Sequence, residues 1–442
     1  MSRHVLIVGG GYVGMYTALR LRRKMRRELR DGALEITLVA PESYMTYQPF
    51  LPEAAAGNLE PRHVVVPLRR VLPGVKVLNG RVTAIDHAGR QATVQVVESG
   101  DAEPKEIRTL SYDLLVFCPG SISRVLPIPG LADNGIGFKT VAEAIFLRNH
   151  VLRQLDIAAS TVDQATREQA LSFVFVGGGY AGVEALAELE DMARDACEYY
   201  PELKPEQMRW VLVEASDRIL PEVGTDMGRW TVDTLRGRGI EIRLETLLKS
   251  AENRRIVLSD GEEFAAGTLV WTAGVKPNPL VKKTDLPLDE KDRVKATAEL
   301  TVEGIENAFT AGDIAAVPDL TKPGEFCAPN AQHAVRQAKV LGDNVVATLR
   351  GQGLKAYKHA YVGSVASLGL HKGVAQVYGI KLRGVLAWFM HRTYHLSRLP
   401  TLNRKARVTA DWTLALFFKR EVVSLGTLAR PREEFELATK RS

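Results

Sequence analysis

Two glycine-rich turns constrain this chain more than any other feature. The first is Gly9-Gly10-Gly11-Tyr12-Val13-Gly14, after the apolar run Val5-Leu6-Ile7-Val8. The second is Gly177-Gly178-Gly179-Tyr180-Ala181-Gly182, after Phe173-Val174-Phe175-Val176. Each reads as a buried strand entering a G-x-G-x-x-G turn that opens a helix. Gly9, Gly11 and Gly14, and likewise Gly177, Gly179 and Gly182, permit a tight turn and close backbone approach to a pyrophosphate. The helix start then offers free N–H donors and a positive dipole end to that anion. Two such turns, each flanked by its own strand, predict two dinucleotides on one protein.

The spacing predicts an α/β protein with two Rossmann-like dinucleotide-binding domains and a C-terminal amphipathic region. The first unit runs over 1–123, with a helix from about Val13 to Arg30 and strands at Glu35–Val39 and Tyr112–Phe117. A second unit covers 124–278, with a strand at Trp210–Glu214 and another ending in Val270-Trp271-Thr272-Ala273-Gly274. Residues 279–349 are short for an independent core and read as a return to the first domain. The tail, 350–442, concentrates apolar and aromatic residues at 382–396 and 408–418, separated by basic ones. Each stretch is too short to span a bilayer but suited to lie in an interface or to pack in a dimer.

Composition narrows the partners. The formal charge of +6 on 442 residues is mild and comes with no nucleic-acid motif, so no nucleic acid is expected. The basic run from Arg20 to Arg30 fits either a solvated helix face or attraction to anionic lipid. Three cysteines, Cys118, Cys197 and Cys327, form no C-x-x-C pair and fit a reducing compartment. No metal site is expected.

Several residues carry candidate chemistry. An acid at the end of the strand after a glycine turn usually holds the adenosine ribose, and Glu214 fills that place in the second unit. It lies 37 residues after Gly177, beyond the usual ~20, and the polar insert 195–207 accounts for the excess. A carboxylate there favours NADH over NADPH. In the first unit the same place is Ala40, leaving Glu42 to reach the ribose. Asp313, after Ala311-Gly312, sits at a strand end, where either a capping role or contact with a flavin's sugar-alcohol is open. Glu184, in the first turn of the second glycine-loop helix, either complements the dipole or acts near the nicotinamide–flavin junction.

These residues resemble the type II NADH dehydrogenases, the single-subunit NADH:quinone oxidoreductases, over nearly the whole chain. The likeness includes the 43–51 stretch Ser-Tyr-Met-Thr-Tyr-Gln-Pro-Phe-Leu, the Gly177–Glu184 run, Val270–Val275 and Ala311-Gly312-Asp313. Its most discriminating piece is Ala331-Gln332-His333-Ala334-Val335-Arg336-Gln337, similar to the family's A-Q-x-A-x-Q quinone-site signature. Arg336 departs from that pattern, with Gln337 one place later.

The resemblance implies FAD on Gly9, Gly11, Tyr12, Gly14, Glu42, Pro49, Gly120 and Asp313. It implies NADH on Gly177, Gly179, Tyr180, Gly182, Glu214 and Gly274. Glu184 and Gln332 are the implied catalytic residues, and Gln332, His333, Arg336 and Gln337 the quinone site. The implied activity is non-proton-pumping transfer from NADH through FAD to a membrane quinone, menaquinone or ubiquinone. The implied form is a homodimer held peripherally on the cytoplasmic face of a membrane. Rival readings are a sulfide:quinone oxidoreductase, which needs a redox cysteine pair, a soluble NADH-dependent flavin reductase, and an FAD/NAD redox sensor.

Overall fold

In this computed structural model the described residues are 2–96, 106–359, 363–425, 436 and 438. Part of the amphipathic tail expected over 350–442 lies outside them.

In chain order, β1 (Arg3–Val8) leads to α1 (Tyr12–Lys24), α2 (Arg26–Arg30), β2 (Leu34–Ala40), α3 (Leu51–Ala55), β3 (Lys76–Asn79) and β4 (Leu114–Phe117). Next come β5 (Gly135–Gly137), α4 (Val141–Ser160), β6 (Ser172–Val176), α5 (Tyr180–Ala196), β7 (Arg209–Val213), β8 (Ile240–Arg243) and β9 (Thr268–Trp271). The chain continues through β10 (Ala308–Thr310), α6 (Ala331–Leu349), β11 (Gly363–Ser367), β12 (Gly373–Val377), β13 (Ile380–Arg383), α7 (Gly384–Arg398) and α8 (Leu402–Leu414).

The chain divides into two compact units. One comprises 1–46, 66–122 and 275–361, the other 47–65, 123–274 and 362–442. The division differs from the expected domains at two places. Residues 47–65, including Pro49, group with the second unit rather than with the first glycine turn, and 362–442 join that unit rather than standing apart.

The first unit is built on a parallel sheet in the order β10-β4-β1-β2-β3. Its strands are near-continuous apolar runs because a parallel sheet buries both faces. Leu6, Ile7, Leu38, Leu115 and Val116 are fully buried. Helices α1 and α6 pack closely: the Thr17 hydroxyl donates to the Ala338 carbonyl at 3.3 Å. A Cβ on Gly342 would lie 2.8 Å from the Arg20 Cβ, so glycine there sets the helix spacing. Asp343 ties the pair through Arg20 at 2.7 Å and Lys24 at 2.6 Å. The helix expected as one piece over 13–30 breaks at Met25, whose φ of −113° and ψ of 32° separate α1 from α2.

The second unit repeats the plan with the parallel order β5-β9-β6-β7-β8. Its tail adds the antiparallel sheet β11-β12-β13 and the helices α7 and α8. The expected amphipathic stretches are these helices, with α8 starting earlier and ending at Leu414. Helix α7 buries Ala387, Trp388, His391 and Arg392, while Val385, Leu386 and Phe389 are exposed. Among the described residues, no helix is long and apolar enough to cross a membrane.

Candidate functional site

Each glycine turn leaves a helix start whose donors are not taken up by its own side chains. α1 and α5 begin after Gly11 and Gly179 with no side-chain cap and no acid in the first turn; α5 starts at Tyr180, so Glu184, expected in that turn, lies just beyond it. By contrast, Thr140 caps α4, Asn330 caps α6 and Thr401 caps α8. A helix start without a cap leaves backbone N–H groups for an anion.

The glycines divide into two kinds. Gly9 and Gly177 have φ of 109° and 117°, in the region that favours glycine. A side chain on Gly14 would run into the Gly9 carbonyl, and one on Gly182 into that of Gly177. At Gly11 and Gly179, however, a Cβ would meet no protein atom within 4 Å. Protein packing does not account for glycine at these two positions, whereas a phosphate lying against the backbone does. The cradle therefore fits a dinucleotide in each unit.

Around the first turn, Gly120 (φ 74°) follows β4, again with open space where a Cβ would be. Asp313 lies in the short 3-10 turn Gly312–Ile314 after β10. The hydroxyl of Ser121 donates to Asp313 Oδ2 at 2.6 Å, so the ends of β4 and β10 meet through a residue that sequence reasoning missed. Glu42 is exposed two residues beyond β2. Cys118 is buried beside Gly14, and burial pushes its thiol well above the ordinary range.

Around the second turn, Glu214 follows β7 directly. Its Oε2 accepts the Gly178 N–H at 2.5 Å, and its Oε1 accepts the N–H and hydroxyl of Ser216, both at 2.8 Å. The carboxylate is held by backbone donors at the strand end, where the adenosine ribose sits in folds of this kind. Gly274 (φ 85°) has open space, and its carbonyl accepts the Arg124 N–H at 3.1 Å.

The 331–337 motif forms the first two turns of α6 and splits by role. Gln332, His333 and Arg336 are half-buried. Arg336 donates to Gln332 Oε1 at 3.1 Å, fixing which end of that amide is the oxygen. His333 Nδ1 lies 2.9 Å from the Tyr357 hydroxyl, and burial lowers the His333 pKa, keeping the ring neutral at pH 7. Gln337 is 1% exposed and accepts the Gly312 N–H at 2.8 Å. It is therefore enclosed and holds the Gly312–Asp313 turn, rather than sharing the half-buried setting of Gln332.

Glu184 sits in a setting that local sequence pattern does not reveal. It is 5% exposed, accepts the Ser367 N–H at 2.8 Å, and lies 3.1 Å from His391 Nε2 on α7. One turn on, Glu188 accepts from the Ser367 hydroxyl at 2.7 Å and from Asn58 Nδ2 at 3.1 Å. Glu53 of α3 accepts from Arg392 at 2.9 Å and from the Trp412 indole at 2.7 Å.

Comparison with known proteins places these features. Residues 3–338 match the family model described as pyridine nucleotide-disulphide oxidoreductase. A probable NADH dehydrogenase of Dictyostelium discoideum is 29% identical over 430 residues, covering 96% of this chain and 91% of the relative. A type II NADH:quinone oxidoreductase of Mycobacterium tuberculosis is 26% identical over 434 residues, covering 95% and 89%. Among solved structures, NDH2 from Plasmodium falciparum in complex with NADH shares the fold with a TM-score of 0.86 at 17% identity, covering 96% of this chain and all of that one. The chain belongs to the pyridine nucleotide-disulphide oxidoreductase family.

Proposed function

We propose that this protein is a type II NADH:quinone oxidoreductase that uses FAD and does not pump protons. The observation that carries the reading is the pair of glycine-turn helices, one in each unit, with open space at Gly11 and Gly179. The names of the full-length relatives point the same way. FAD, when bound, supplies the hydride acceptor and passes two electrons on.

Gly9, Gly11, Gly14, Gly120 and Asp313 hold FAD, with Tyr12, Glu42 and Pro49 as further candidates. Ser121 orients the Asp313 carboxylate through its hydrogen bond. Gly177, Gly179, Tyr180, Gly182 and Gly274 hold NADH, and Glu214 takes its adenosine ribose hydroxyls. A phosphate in place of the 2′-hydroxyl meets the Glu214 charge, which favours NADH over NADPH. Gln332, with His333 and Arg336, faces the quinone, while Gln337 keeps the Gly312–Asp313 turn in place. Glu184 acts on the nicotinamide side, and its proton supply is taken up below.

The exposed Val385, Leu386, Phe389, Leu414, Phe417 and Phe418, interleaved with basic residues, suit an interfacial anchor on the cytoplasmic face of a membrane. The same helices suit homodimer formation. The test is an anaerobic NADH titration of the purified protein, followed at the flavin absorbance, with a short-chain menaquinone added at the end. Bleaching by NADH and recovery on quinone support the reading. Bleaching that quinone does not reverse refutes it in favour of a soluble reductase or redox sensor.

A further inference from the structure

Helix α5 leaves the second glycine turn carrying Glu184 and Glu188 one turn apart, both shut away from water at 5% and 1% exposure. Glu53, also 1% exposed, is their third carboxylate neighbour. The cations are unevenly shared. Arg392 bonds Glu53, and Arg420 pairs with Asp195 at 2.7 Å. Glu188 accepts hydrogen bonds from neutral groups, the Ser367 hydroxyl and the Asn58 amide. Burial, then the nearby Glu53 charge, push the Glu188 carboxyl up to about 7, against the opposing pull of Arg420 and Ser367. A buried carboxyl beside a like charge keeps its proton at pH values where an exposed one has lost it.

The imidazole of His391 is 1% exposed. Its Nε2 is within ion-pair distance of Glu184, but neither ring nitrogen has a well-aligned hydrogen bond among the described residues. Burial pulls its pKa down, yet Glu184, Glu53 and Glu188 outweigh this and hold it above the ordinary value. On its other side stands His395, with ring centroids 4.6 Å apart. Burial and the charges of His391 and Arg398 keep His395 neutral at pH 7. His395 Nδ1 in turn lies 3.1 Å from the Tyr47 hydroxyl.

We propose that Tyr47, His395 and His391 form a proton relay into Glu184, with Glu188 as a buried positioning acid beside it. This deepens the oxidoreductase reading and rests on it. NADH, one proton and a quinone become NAD⁺ and a quinol. The hydride brings two electrons and one of the two added hydrogens, and the other comes from solvent. In the relay, the N–H bond at His391 Nε2 breaks as an O–H bond forms on Glu184, and Glu184 gives that proton up as the quinol O–H forms. His391 regains a proton from His395, His395 from the Tyr47 hydroxyl, and Tyr47 from solvent. No electron moves along the relay. Ser367 holds the two carboxyls in place, giving its hydroxyl hydrogen bond to Glu188 and its N–H to Glu184. His391 and Glu188 thus act through Glu184.

The test uses the full-length, flavin-loaded protein and two readouts. Infrared titration between pH 5 and 9 is expected to show the carbonyl stretch of a protonated carboxylic acid near neutral pH. Glu188→Gln removes that band, and His391→Gln shifts the pH at which it disappears. In stopped flow, His391→Gln slows quinone-dependent flavin reoxidation by about 100-fold, the scale of a lost proton transfer, and enlarges its solvent isotope effect, because proton delivery then limits the step. Tyr47→Phe, which removes the oxygen bonded to His395, gives the same enlarged isotope effect if His391→Gln does not fold. A parent protein that turns over quinone without the carboxylic-acid band overturns the relay alone, as does an unchanged isotope effect in both variants. A parent flavin that quinone does not reoxidise overturns the oxidoreductase reading as well, whatever the infrared band shows.

Discussion

Replacing Arg392 with methionine strikes the point where the tail helices join the core of the second unit. Arg392 is 6% exposed and Glu53 1%. Its guanidinium donates to Glu53 at 2.9 Å and lies over the rings of Trp388 and Trp412, at 4.0 and 4.8 Å from their centroids. Methionine keeps much of the apolar stem but leaves the Glu53 carboxylate buried, beside Glu188, with the Trp412 indole as its remaining donor. Removing one partner of a buried pair costs roughly 3–5 kcal/mol, and each lost cation–π contact adds about 0.5–1 kcal/mol. The expected loss is therefore about 4–7 kcal/mol, read as a lower urea midpoint by tryptophan fluorescence and circular dichroism. Adding Glu53→Gln removes the stranded charge while keeping an acceptor for Trp412, and at least half of the loss returns. If single and double variants are equally destabilised, the damage is lost packing, and the charge argument fails.

The two kinds of glycine separate experimentally. Gly11→Ala meets no protein atom and leaves folding intact while lowering the flavin-to-protein absorbance ratio. Gly14→Ala collides with the Gly9 carbonyl and lowers soluble yield and thermal stability. On the proposed role of Glu214 at the adenosine ribose, Glu214→Ala removes one or two charge-assisted hydrogen bonds, about 1.5–3 kcal/mol, so KM for NADH rises roughly 10- to 150-fold and the preference over NADPH shrinks in steady-state assays. Asp343 is held down to about 2, chiefly by its hydrogen bond to Arg20 and despite burial, with Lys24 helping. Its folded pKa lies below the unfolded value, so its stabilisation is present above about pH 4 and is lost as pH falls towards about 2. Asp343→Asn therefore lowers the thermal midpoint at pH 7, and the difference from the parent shrinks through that window.

Local pattern made the two glycine turns, their strands and Glu214 legible, because each depends on neighbours within one β–turn–α unit. Sequence order puts 47–65 with the first glycine turn and gives no sign that α3 groups with a tail more than three hundred residues later. Met25 lies inside the helix expected over 13–30, and its residue type gives no sign of the break its backbone makes there. The Glu184–Glu188–Glu53–His391–Arg392 cluster escaped sequence reading for a similar reason. Acids on an amphipathic helix read as its wet face until the distant imidazole and guanidinium that accompany them are in place. Gln337 differs from Gln332 only through the Gly312 amide it meets, again a long-range feature.

The most direct test of the central claim is a stoichiometry. Flavin-loaded protein is added to vesicles containing a quinone, and NADH loss, quinol formation and internal pH are followed together under anaerobic conditions. The account predicts one quinol formed per NADH oxidised, one proton taken up outside for each, and no proton movement across the vesicle membrane. NADH consumption without quinol, or proton movement across the membrane driven by turnover, would contradict it.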